Sequence, residues 1–388
     1  MIPVTYNLRN LAVRKTTTAA AALGIALVVF VIASVLMLRR GVERAMGQSG
    51  RTDNAIVLRK GSDAELSSTL EESQVGMVLA TPGVKRHDQG AGLGMGEVVV
   101  VITQEKIGAS GISNVQVRGV TDLVMAFRPE THIIEGRAAR PGTDEVVIGK
   151  RIRGRFKGVD LHESFEIRKN RQVKVVGVFE AGGSTSESEI WADLDTVRSS
   201  FGREGLVSSV RVRLESPAKF DAFQAAVEQD KQLGLTVMRE DVFFQKQSEG
   251  TSKFVTILGI LIAVFFSVGA MIGAMITMYA SVANRQREVG VLRALGFSRF
   301  AILTSFLFES TVLALGGAVL GAICSLGMGA VHFSMLNMAS WSEIVFSFTP
   351  TVGLLVYSML VGGGMGLLGG FLPAVRAARV SPVSAMRG

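Results

Sequence analysis

The sequence predicts an α-helical membrane protein with four transmembrane helices and an α+β domain outside the hydrocarbon core. Hydrophobic residues make up 48% of the 388 residues and charged residues only 19%, a balance too apolar for an ordinary soluble enzyme. The apolar residues are gathered in long runs. Between the first run and the second lie about 200 residues of mixed pattern, which is enough to bury a core of their own.

The four apolar runs are each long enough to cross a hydrocarbon core of about 30 Å, which takes about 20 residues. They cover Ala19–Leu38, Phe254–Ala280, Phe306–Val331 and Thr351–Phe371. The first run follows two basic residues, as the core of a cleaved signal peptide would, but it is longer than the roughly 7–15 residues of such a core. We therefore expect a retained helix over 19–40.

The basic residues predict the orientation, because short cytoplasmic loops are enriched in Lys and Arg. The arginines and lysine that decide it are Arg9, Arg14 and Lys15 before the first run, Arg285, Arg287, Arg293 and Arg299 after the second, and Arg376, Arg379 and Arg387 after the fourth. The loop His332–Pro350 has neither residue type. Both termini are therefore expected in the cytoplasm, and residues 41–250 outside.

The segment 41–250 predicts a β-α-β lobe with an inserted, mostly β lobe. Strand, helix and strand are expected twice, at Asn54–Lys60, Ser68–Leu79 and Glu97–Gln104, and again at Ser208–Leu214, Phe220–Asp230 and Leu235–Arg239. Short strands are expected between them at Val115–Val120, Glu145–Ile148, Ser164–Arg168 and Gln172–Phe179. The pattern leaves open whether Gly182–Ser188 is an ordered contact surface or a loose loop.

No catalytic constellation is evident in the sequence. The four histidines are scattered without metal-ligand spacing, and the acidic residues Glu187, Glu189 and Asp193 are expected on a solvated face. The phosphate-binding pattern G-x-x-x-x-G-K-[ST] is absent, so we expect any ATP to be hydrolysed by another polypeptide. The net charge of +8 fits cytoplasmic flanks against anionic lipid better than nucleic-acid binding.

The segment Ala283–Gly296 predicts a short amphipathic helix between two membrane helices. Its apolar residues Val289, Leu292 and Leu295 recur at helical spacing. Its polar groups are those of Arg285, Glu288 and Arg293. Such a helix suits insertion into a groove on a cytoplasmic protein.

Three segments carry a family resemblance. Arg287-Glu-Val-Gly-Val-Leu-Arg-Ala-Leu-Gly296 resembles the R-E-x-G-x-L-R-A-x-G signature of FtsX-like ABC-transporter permeases. Leu372–Arg387 resembles their ending, P-A-x-R-A-A-R-x-x-P-x-x-A-L-R, with Met386 in place of the usual Leu. The stretch Val176–Leu194 is similar to the G-G-S…E-x-E-I-W-x-D-L segment of MacB-like periplasmic domains.

The resemblance implies roles for two sets of residues. ATPase coupling would involve Arg285, Arg287, Glu288, Val289, Gly290, Leu292, Arg293, Ala294, Leu295 and Gly296. The carboxyl-terminal motif would be Pro373, Arg376, Arg379 and Pro382. Residues 251–388 would form the FtsX-like domain, with the coupling helix at 283–298.

The function that the resemblance implies is that of a permease subunit in the bacterial inner membrane, which passes ATPase-driven motion to a periplasmic domain and so exports a substrate. Its partners would be two copies of an ABC ATPase and a second permease copy, identical or related. A periplasmic adaptor and an outer-membrane channel would also take part. ATP and magnesium would be bound by the ATPase. The chain itself would bind no cofactor. A lipoprotein-releasing permease of the LolC/LolE type and an FtsX-like regulator of cell-wall hydrolases are the alternatives.

Small residues and one acid stand out within the membrane runs. The G-x-x-x-G pairs begin at Gly269, Gly317, Gly362 and Gly366, the last of them ending at Gly370. They favour close helix packing, either within one subunit or between two. Glu309, a carboxylate inside a membrane helix, is expected to be a structural anchor for Arg285 or Arg293. Residues 1–18 suit either an amphipathic helix on the inner membrane surface or a plain topology signal.

Overall fold

The computed structural model describes residues 15–87, 90–108, 111–230, 233–337 and 340–381. Most of the amino-terminal segment 1–18, and Pro382 of the carboxyl-terminal motif, lie outside these residues. The chain divides into two compact units. The membrane unit comprises the described parts of 1–41, 253–332 and 347–388, and the α+β unit comprises those of 42–252 and 333–346.

Nine α-helices and fourteen strands occur in the described residues. The helices are α1 (Lys15–Gly47), α2 (Glu72–Ala80), α3 (Val124–Phe127), α4 (Leu194–Phe201), α5 (Phe220–Gln229), α6 (Glu240–Asn284), α7 (Gln286–Ala294), α8 (Arg299–Leu326) and α9 (Val352–Ala378). The strands are β1 (Asn54–Arg59), β2 (Leu70–Glu71), β3 (Gly94–Glu105), β4 (Ile112–Val120), β5 (Thr131–Gly136), β6 (Glu145–Gly149), β7 (Ser164–Arg168), β8 (Arg171–Ala181), β9 (Glu189–Asp193), β10 (Leu206–Val207), β11 (Ser209–Arg213), β12 (Leu235–Arg239), β13 (His332–Leu336) and β14 (Glu343–Ser347).

Four helices of the described residues, α1, α6, α8 and α9, are long and apolar enough to cross a membrane. Helix α6 has 45 residues, which corresponds to about 67 Å at 1.5 Å per residue, twice the thickness of a hydrocarbon core. No proline interrupts it. Its residues before Lys253 belong to the α+β unit and the others to the membrane unit.

The α+β unit is built on one ten-stranded sheet in the order β12-β1-β11-β3-β4-β9-β6-β8-β5, with β7 paired to β8. Strands β12, β1, β11 and β3, with helices α2 and α5, form the two predicted β-α-β units in a ferredoxin-like arrangement. The predicted β insert supplies the other strands. The insert joins the same sheet, because β3 pairs with β4 from Val98↔Gly119 to Glu105↔Ile112.

The first helix of the α+β unit begins later than expected. Residues Leu70–Glu71 pair with Leu206–Val207 as a small two-stranded sheet. Helix α2 then starts at Glu72, where Glu71 and Gln74 form a capping box.

The prediction of a solvated acidic face was wrong. Glu187 is fully buried and Glu189 is 6% exposed, because arginines distant in the sequence meet both carboxylates. Asp193 is half-buried and accepts a hydrogen bond from the Thr196 amide at the start of α4. The segment Gly182–Ser188 is ordered, with Ser184–Ser188 buried.

Candidate functional site

Helix α7, the predicted coupling helix, is fixed to the membrane unit by an apolar cluster. Val289 lies in this cluster at 2% exposure and Leu292 packs against it. The other buried members come from three membrane helices: Met278, Val282, Ile302, Phe306, Ala374, Ala377 and Ala378. Movement of α7 would therefore bear directly on α6, α8 and α9.

The apolar residues predicted to form one docking face lie on two different sides of α7 in the structure. Val289 and Leu292 are used by the chain itself, whereas Leu295 is 72% exposed and Val291 is 50% exposed. Arg287, Glu288 and Ala294 are also exposed. The surface of α7 open to another protein is thus the Val291 and Leu295 side, because the cluster occupies the opposite face, where Gly290 is buried too.

The two ends of α7 are held by arginines. Arg285, just before the helix, is 6% exposed, and its Nη1 donates to Glu309 Oε2 of α8 at 2.8 Å. The Arg285 guanidinium also lies 4.9 Å from the centre of the Phe306 ring. At the other end, Arg293 Nη1 donates to the Phe297 carbonyl at 3.1 Å. Of the two arginines considered for Glu309, the structure places Arg285 beside it.

A glycine ends the segment that contains α7. Gly296 has a φ of +93°, a left-handed conformation that glycine adopts without the strain of a Cβ. The chain can therefore turn at once into α8, where the Ser298 hydroxyl accepts a hydrogen bond from the Ala301 amide.

The carboxyl-terminal motif lies on the same cluster. Pro373 is buried within α9, next to Ala374 of the cluster. The Arg376 guanidinium lies 5.6 Å from the centre of the Tyr279 ring of α6, and the Arg379 side chain is exposed. The end of α9 thus packs beside α7.

Glycines bring the membrane helices into close contact within this chain. A Cβ added at Gly366 would overlap the Cβ of Ala314, and one added at Gly370 would overlap the Ser310 hydroxyl. At Gly362 the added atom would lie 2.5 Å from Val29 Cγ2 and 3.0 Å from Ala318 Cβ. These three glycines permit packing of α9 on α8 and α1. By contrast, a Cβ added at Gly269 would meet nothing within 4 Å among the described residues.

We expect Gly366→Leu to prevent correct packing of α8 and α9. Overpacking of a tight contact destabilises by about 1–3 kcal/mol, and more where backbone must move. The yield of monodisperse protein and its melting temperature in one detergent should both fall. Gly364→Leu is the matched control, because an added Cβ there meets nothing within 4 Å among the described residues. Equal behaviour of the two variants would contradict the packing role.

In the α+β unit, four carboxylates and three guanidiniums are buried together. The members of this buried ionic network are Glu65, Glu97, Glu189, Glu240, Arg118, Arg128 and Arg211. Glu97 is at its centre and accepts hydrogen bonds from Arg118 Nη1 at 2.6 Å, Arg128 Nη2 at 2.8 Å and Arg211 Nε at 2.9 Å. Burial raises the pKa of Glu97, but attraction by the three guanidiniums outweighs it and lowers that pKa below the ordinary value.

The network fixes the first residue of helix α6. Glu240 is 3% exposed and forms an ion pair with Arg211. It also accepts a hydrogen bond from Asn54 Nδ2 at 2.7 Å. An acid at the amino terminus of a helix is further stabilised by the helix dipole. Helix α6 is therefore anchored in the sheet at its start.

Besides helices α1 and α6, a hairpin between α8 and α9, formed by β13 and β14, connects the membrane helices to the α+β unit along the chain. Its residues 333–346 belong to the α+β unit, whereas α8 and α9 belong to the membrane unit. The Val345 amide donates to Ser188 Oγ at 3.1 Å, and the Val345 carbonyl accepts from Arg151 Nη1 at 2.8 Å. The segment that ends at Ser188 is thus an ordered contact surface for the hairpin.

Glu343 is the principal polar contact of the 332–347 hairpin. Its carboxylate accepts a hydrogen bond from Ser113 Oγ at 2.5 Å and forms ion pairs with Lys106 Nζ at 2.7 Å and with Arg155. Burial raises the pKa of Glu343, but hydrogen bonds from Lys106 and Ser113 and the charge of Arg155 outweigh it, and the pKa falls from 4.5 to about 2. The charged form is therefore stabilised by the folded contact.

The Glu343 contact predicts a dependence of stability on pH. A carboxylate whose pKa is lower in the folded state stabilises that state above its unfolded pKa, and the stabilisation is lost as the pH falls through the folded pKa. We expect wild type to melt above Glu343→Gln at pH 5 and higher, and the difference to shrink between about pH 4.5 and pH 2. Melting curves of the two proteins across this range provide the measurement. A difference that does not change with pH would contradict the assignment.

Sequence reasoning missed the hairpin and the network for different reasons. The lack of Lys and Arg in the 332–350 loop indicates its side of the membrane but not its fold, although Glu343-Ile-Val-Phe-Ser347 is a run of β-branched and aromatic residues typical of a strand. The network has no local signal. Glu97, Arg118 and Arg211 occupy separate strands, and only their pairing brings them together.

Two known families match successive parts of the chain. The family described as MacB-like periplasmic core domain matches residues 17–230, more than half of the chain. The family described as FtsX-like permease C-terminal matches residues 260–382, which contain α7, α8 and α9.

Individual relatives match over part of their length. The uncharacterized ABC transporter permease YknZ of Bacillus subtilis is 31% identical over 210 residues, which are 52% of this chain and 49% of that protein. The macrolide export ATP-binding/permease protein MacB of Burkholderia lata is 32% identical over 212 residues, 53% of this chain and 30% of that protein. The macrolide export ATP-binding/permease protein MacB of Acinetobacter baylyi is 28% identical over 296 residues, which are 71% of this chain and 42% of that protein. The chain thus spans half or less of the length of these relatives.

Among solved structures, the extracellular domain of YknZ is 17% identical, with a TM-score of 0.36, over 48% of this chain and 99% of that domain. The periplasmic region of MacB from Actinobacillus actinomycetemcomitans is 12% identical, with a TM-score of 0.37, over 51% of this chain and 94% of that region. Because one family match covers more than half of the chain and a second covers α7 and the helices after it, the chain belongs to the MacB-like and FtsX-like family of ABC-transporter permeases, membrane permeases with an extracytoplasmic domain.

Proposed function

We propose that this chain is the permease subunit of an export complex, in which a separate ATP-hydrolysing protein binds α7 and the resulting motion reaches the α+β unit through α6 and the 332–347 hairpin. The observation that carries the proposal is the structure of α7. One face is packed on three membrane helices, and the Val291 and Leu295 side is exposed. A partner that moves this helix must move the membrane helices with it.

The connections to the α+β unit support the second half of the proposal. Helix α6 continues from the membrane unit into the α+β unit without a break, and its first residue is fixed by the buried ionic network. The 332–347 hairpin is held by Glu343 and Val345. Because packed elements of this kind move as units rather than deforming continuously, displacement of α6, α8 or α9 would change the position or shape of the α+β unit.

The charge pattern supports an inner-membrane location with both termini in the cytoplasm. In this arrangement α7 faces the cytoplasm, where ATP and magnesium would be bound by two copies of the ATPase. A second permease copy would complete the complex. The substrate would be taken from the periplasm or the outer leaflet, because four helices leave little room for a wide conduit through the bilayer.

The proposal can be tested by purification of the tagged full chain from membranes in mild detergent, followed by mass spectrometry and an ATPase assay. The test variant is Leu295→Glu, since Leu295 is 72% exposed and its replacement disturbs no core. The matched control is Ile134→Glu, at an apolar residue of the α+β unit that is 42% exposed. We expect an ATPase to co-purify with wild type and with the control and to be reduced at least about tenfold with Leu295→Glu, because an anchor residue at the centre of an interface is often worth 2 kcal/mol or more.

The absence of an ATPase from wild-type preparations, or equal recovery with both variants, would contradict the coupling role of α7. Co-purification of a cell-wall hydrolase would favour the regulatory alternative. An adaptor or an outer-membrane channel among the recovered proteins would define an export route across both membranes.

A further inference from the structure

The Glu-Ile-Trp-Ala-Asp-Leu stretch of residues 189–194 has no part in the proposed coupling. Its tryptophan lines a cavity of about 150 Å³ in the α+β unit. The cavity walls are mainly apolar and include Val120, Val124, Ala138 and Val147. Met125, which lines the cavity, is half-buried, and Leu123, two residues before it in the chain, is 39% exposed.

Trp191 is held in one position by three contacts. Its ring stacks on Phe179 with 4.1 Å between the ring centres. Its Nε1 donates to Glu189 Oε2 at 2.9 Å, and the Arg128 guanidinium lies 5.4 Å from its ring centre. Glu189 and Arg128 belong to the buried ionic network. The network therefore makes this cavity a preformed feature rather than a space that its own side chains could fill.

The volume of the cavity discriminates between classes of occupant. Pockets for small molecules usually measure about 300–1,000 Å³, and they enclose most of the ligand. A cavity of about 150 Å³ is too small for that class. It suits one apolar side chain inserted from a protein surface, as an aromatic or aliphatic anchor enters a pocket at an interface.

Charges at the cavity specify what should flank that side chain. Asp122 is exposed and forms no hydrogen bond or ion pair among the described residues. Arg140 forms no side-chain hydrogen bond among them, although its charge acts on Glu145. Asp122 and Arg140 line the cavity together with Asp193, whose carboxylate already accepts a hydrogen bond from the Thr196 amide. A complementary protein segment would carry a basic residue for Asp122 and an acidic residue for Arg140.

We propose that this cavity, the Trp191 pocket, receives a single leucine- or phenylalanine-sized side chain of an extracytoplasmic partner protein, flanked by one basic and one acidic residue. The pocket lies in the α+β unit and does not involve α7. The inference is therefore independent of ATPase coupling, and either can fail without the other.

The test uses the purified full chain in detergent and labelled nine-residue peptides with Leu, Phe, Ala or Ser at the central position. The two residues that flank the central position are Lys before and Glu after it, or Glu before and Lys after it. In the other peptides both flanking residues are Lys, both are Glu, or both are Ser. Anisotropy gives the affinity. In a Trp341→Phe background, emission from Trp191, the only other tryptophan of the chain, reports occupancy of the pocket.

We expect the Leu or Phe peptides to bind at least about tenfold more tightly than the Ala peptide, as is usual for an apolar group in a fitted pocket. Peptides with one of the two orders of Lys and Glu should bind more tightly than peptides with any other flanking residues. Ala138→Phe, at an exposed residue of the pocket wall, should abolish this preference, and Ala225→Phe, at an exposed residue of α5, should retain it. Asp122→Asn should reduce the affinity of Lys-containing peptides only.

Equal affinity for the Leu and Ala peptides would overturn the proposal, as would equal binding by Ala138→Phe and Ala225→Phe. Saturation of Trp191 emission by free leucine or by a small apolar compound, at the affinity of the best peptide, would assign the pocket to small molecules instead. Indifference to the charge of the neighbours would overturn the assignment of Asp122 and Arg140.

Discussion

Glu97→Gln is expected to lower the free energy of unfolding of the α+β unit by about 3–5 kcal/mol, the usual effect of removing one partner from a buried ionic cluster. Glu97 is fully buried and accepts hydrogen bonds from three arginines. A glutamine of the same shape would place an amide NH₂ group against guanidinium donors and remove the negative charge between them. The melting temperature should fall by roughly 6–20 °C for a domain of this size.

Glu163→Gln is the control for this experiment, because Glu163 is exposed and its carboxylate has no partner among the described residues. A surface change of this kind usually stays within about 0.5 kcal/mol. The two variants should be compared as the full chain in one detergent, by melting and by resistance to protease. If Glu97→Gln melts within about 2 °C of Glu163→Gln, the network makes little net contribution to stability.

Arg285→Gln is expected to reduce coupled ATPase activity and transport by about 2–30-fold, which corresponds to a loss of 0.5–2 kcal/mol of coupling between sites. Arg285 joins the start of α7 to Glu309 of α8, and both side chains are almost fully buried. The substitution leaves the Glu309 carboxylate without the guanidinium that faces it. The expectation rests on the proposed function, and the measurement is ATP hydrolysis by the reconstituted complex with and without substrate.

Arg299→Gln removes the same charge from an exposed residue, the first of α8, so it controls for the net charge near the membrane. Glu309→Gln should resemble Arg285→Gln, and the double variant should be no worse than either single one, because the two residues act as a pair. Strictly additive losses would show that the residues act separately. Equal activity of Arg285→Gln and Arg299→Gln would end the coupling role of this ion pair.

These experiments address the two ends of the proposed route for motion. Glu97 belongs to the buried ionic network that holds the first residue of α6 against the sheet. Arg285 joins the start of α7 to α8. A loss of stability with Glu97→Gln and a loss of coupling without unfolding with Arg285→Gln would separate the scaffold from the moving part.

The sequence by itself determined the features that depend on local pattern. Four apolar runs of sufficient length predicted the membrane helices, and short runs of strand-forming residues predicted strands such as Leu235–Arg239 and Ser164–Arg168, which the structure reproduces. Each of the three segments that carry the family resemblance is a single short stretch of the chain, so they too could be identified without a fold. The intramembrane acid Glu309 could be singled out, together with two candidate arginines, because charge inside an apolar run is conspicuous.

Only the tertiary structure decided which side chains meet and which faces remain open. Glu189 is buried rather than solvated because β4 and β9 pair in parallel and bring Arg118 beside it. Val289 and Leu292 of α7 turn inward because α9 returns to the same end of the membrane unit, so Val291 and Leu295 form the open side. Helical spacing predicts that a helix has an apolar face. It does not predict which element packs against that face, because the contacting residues are far away in the chain.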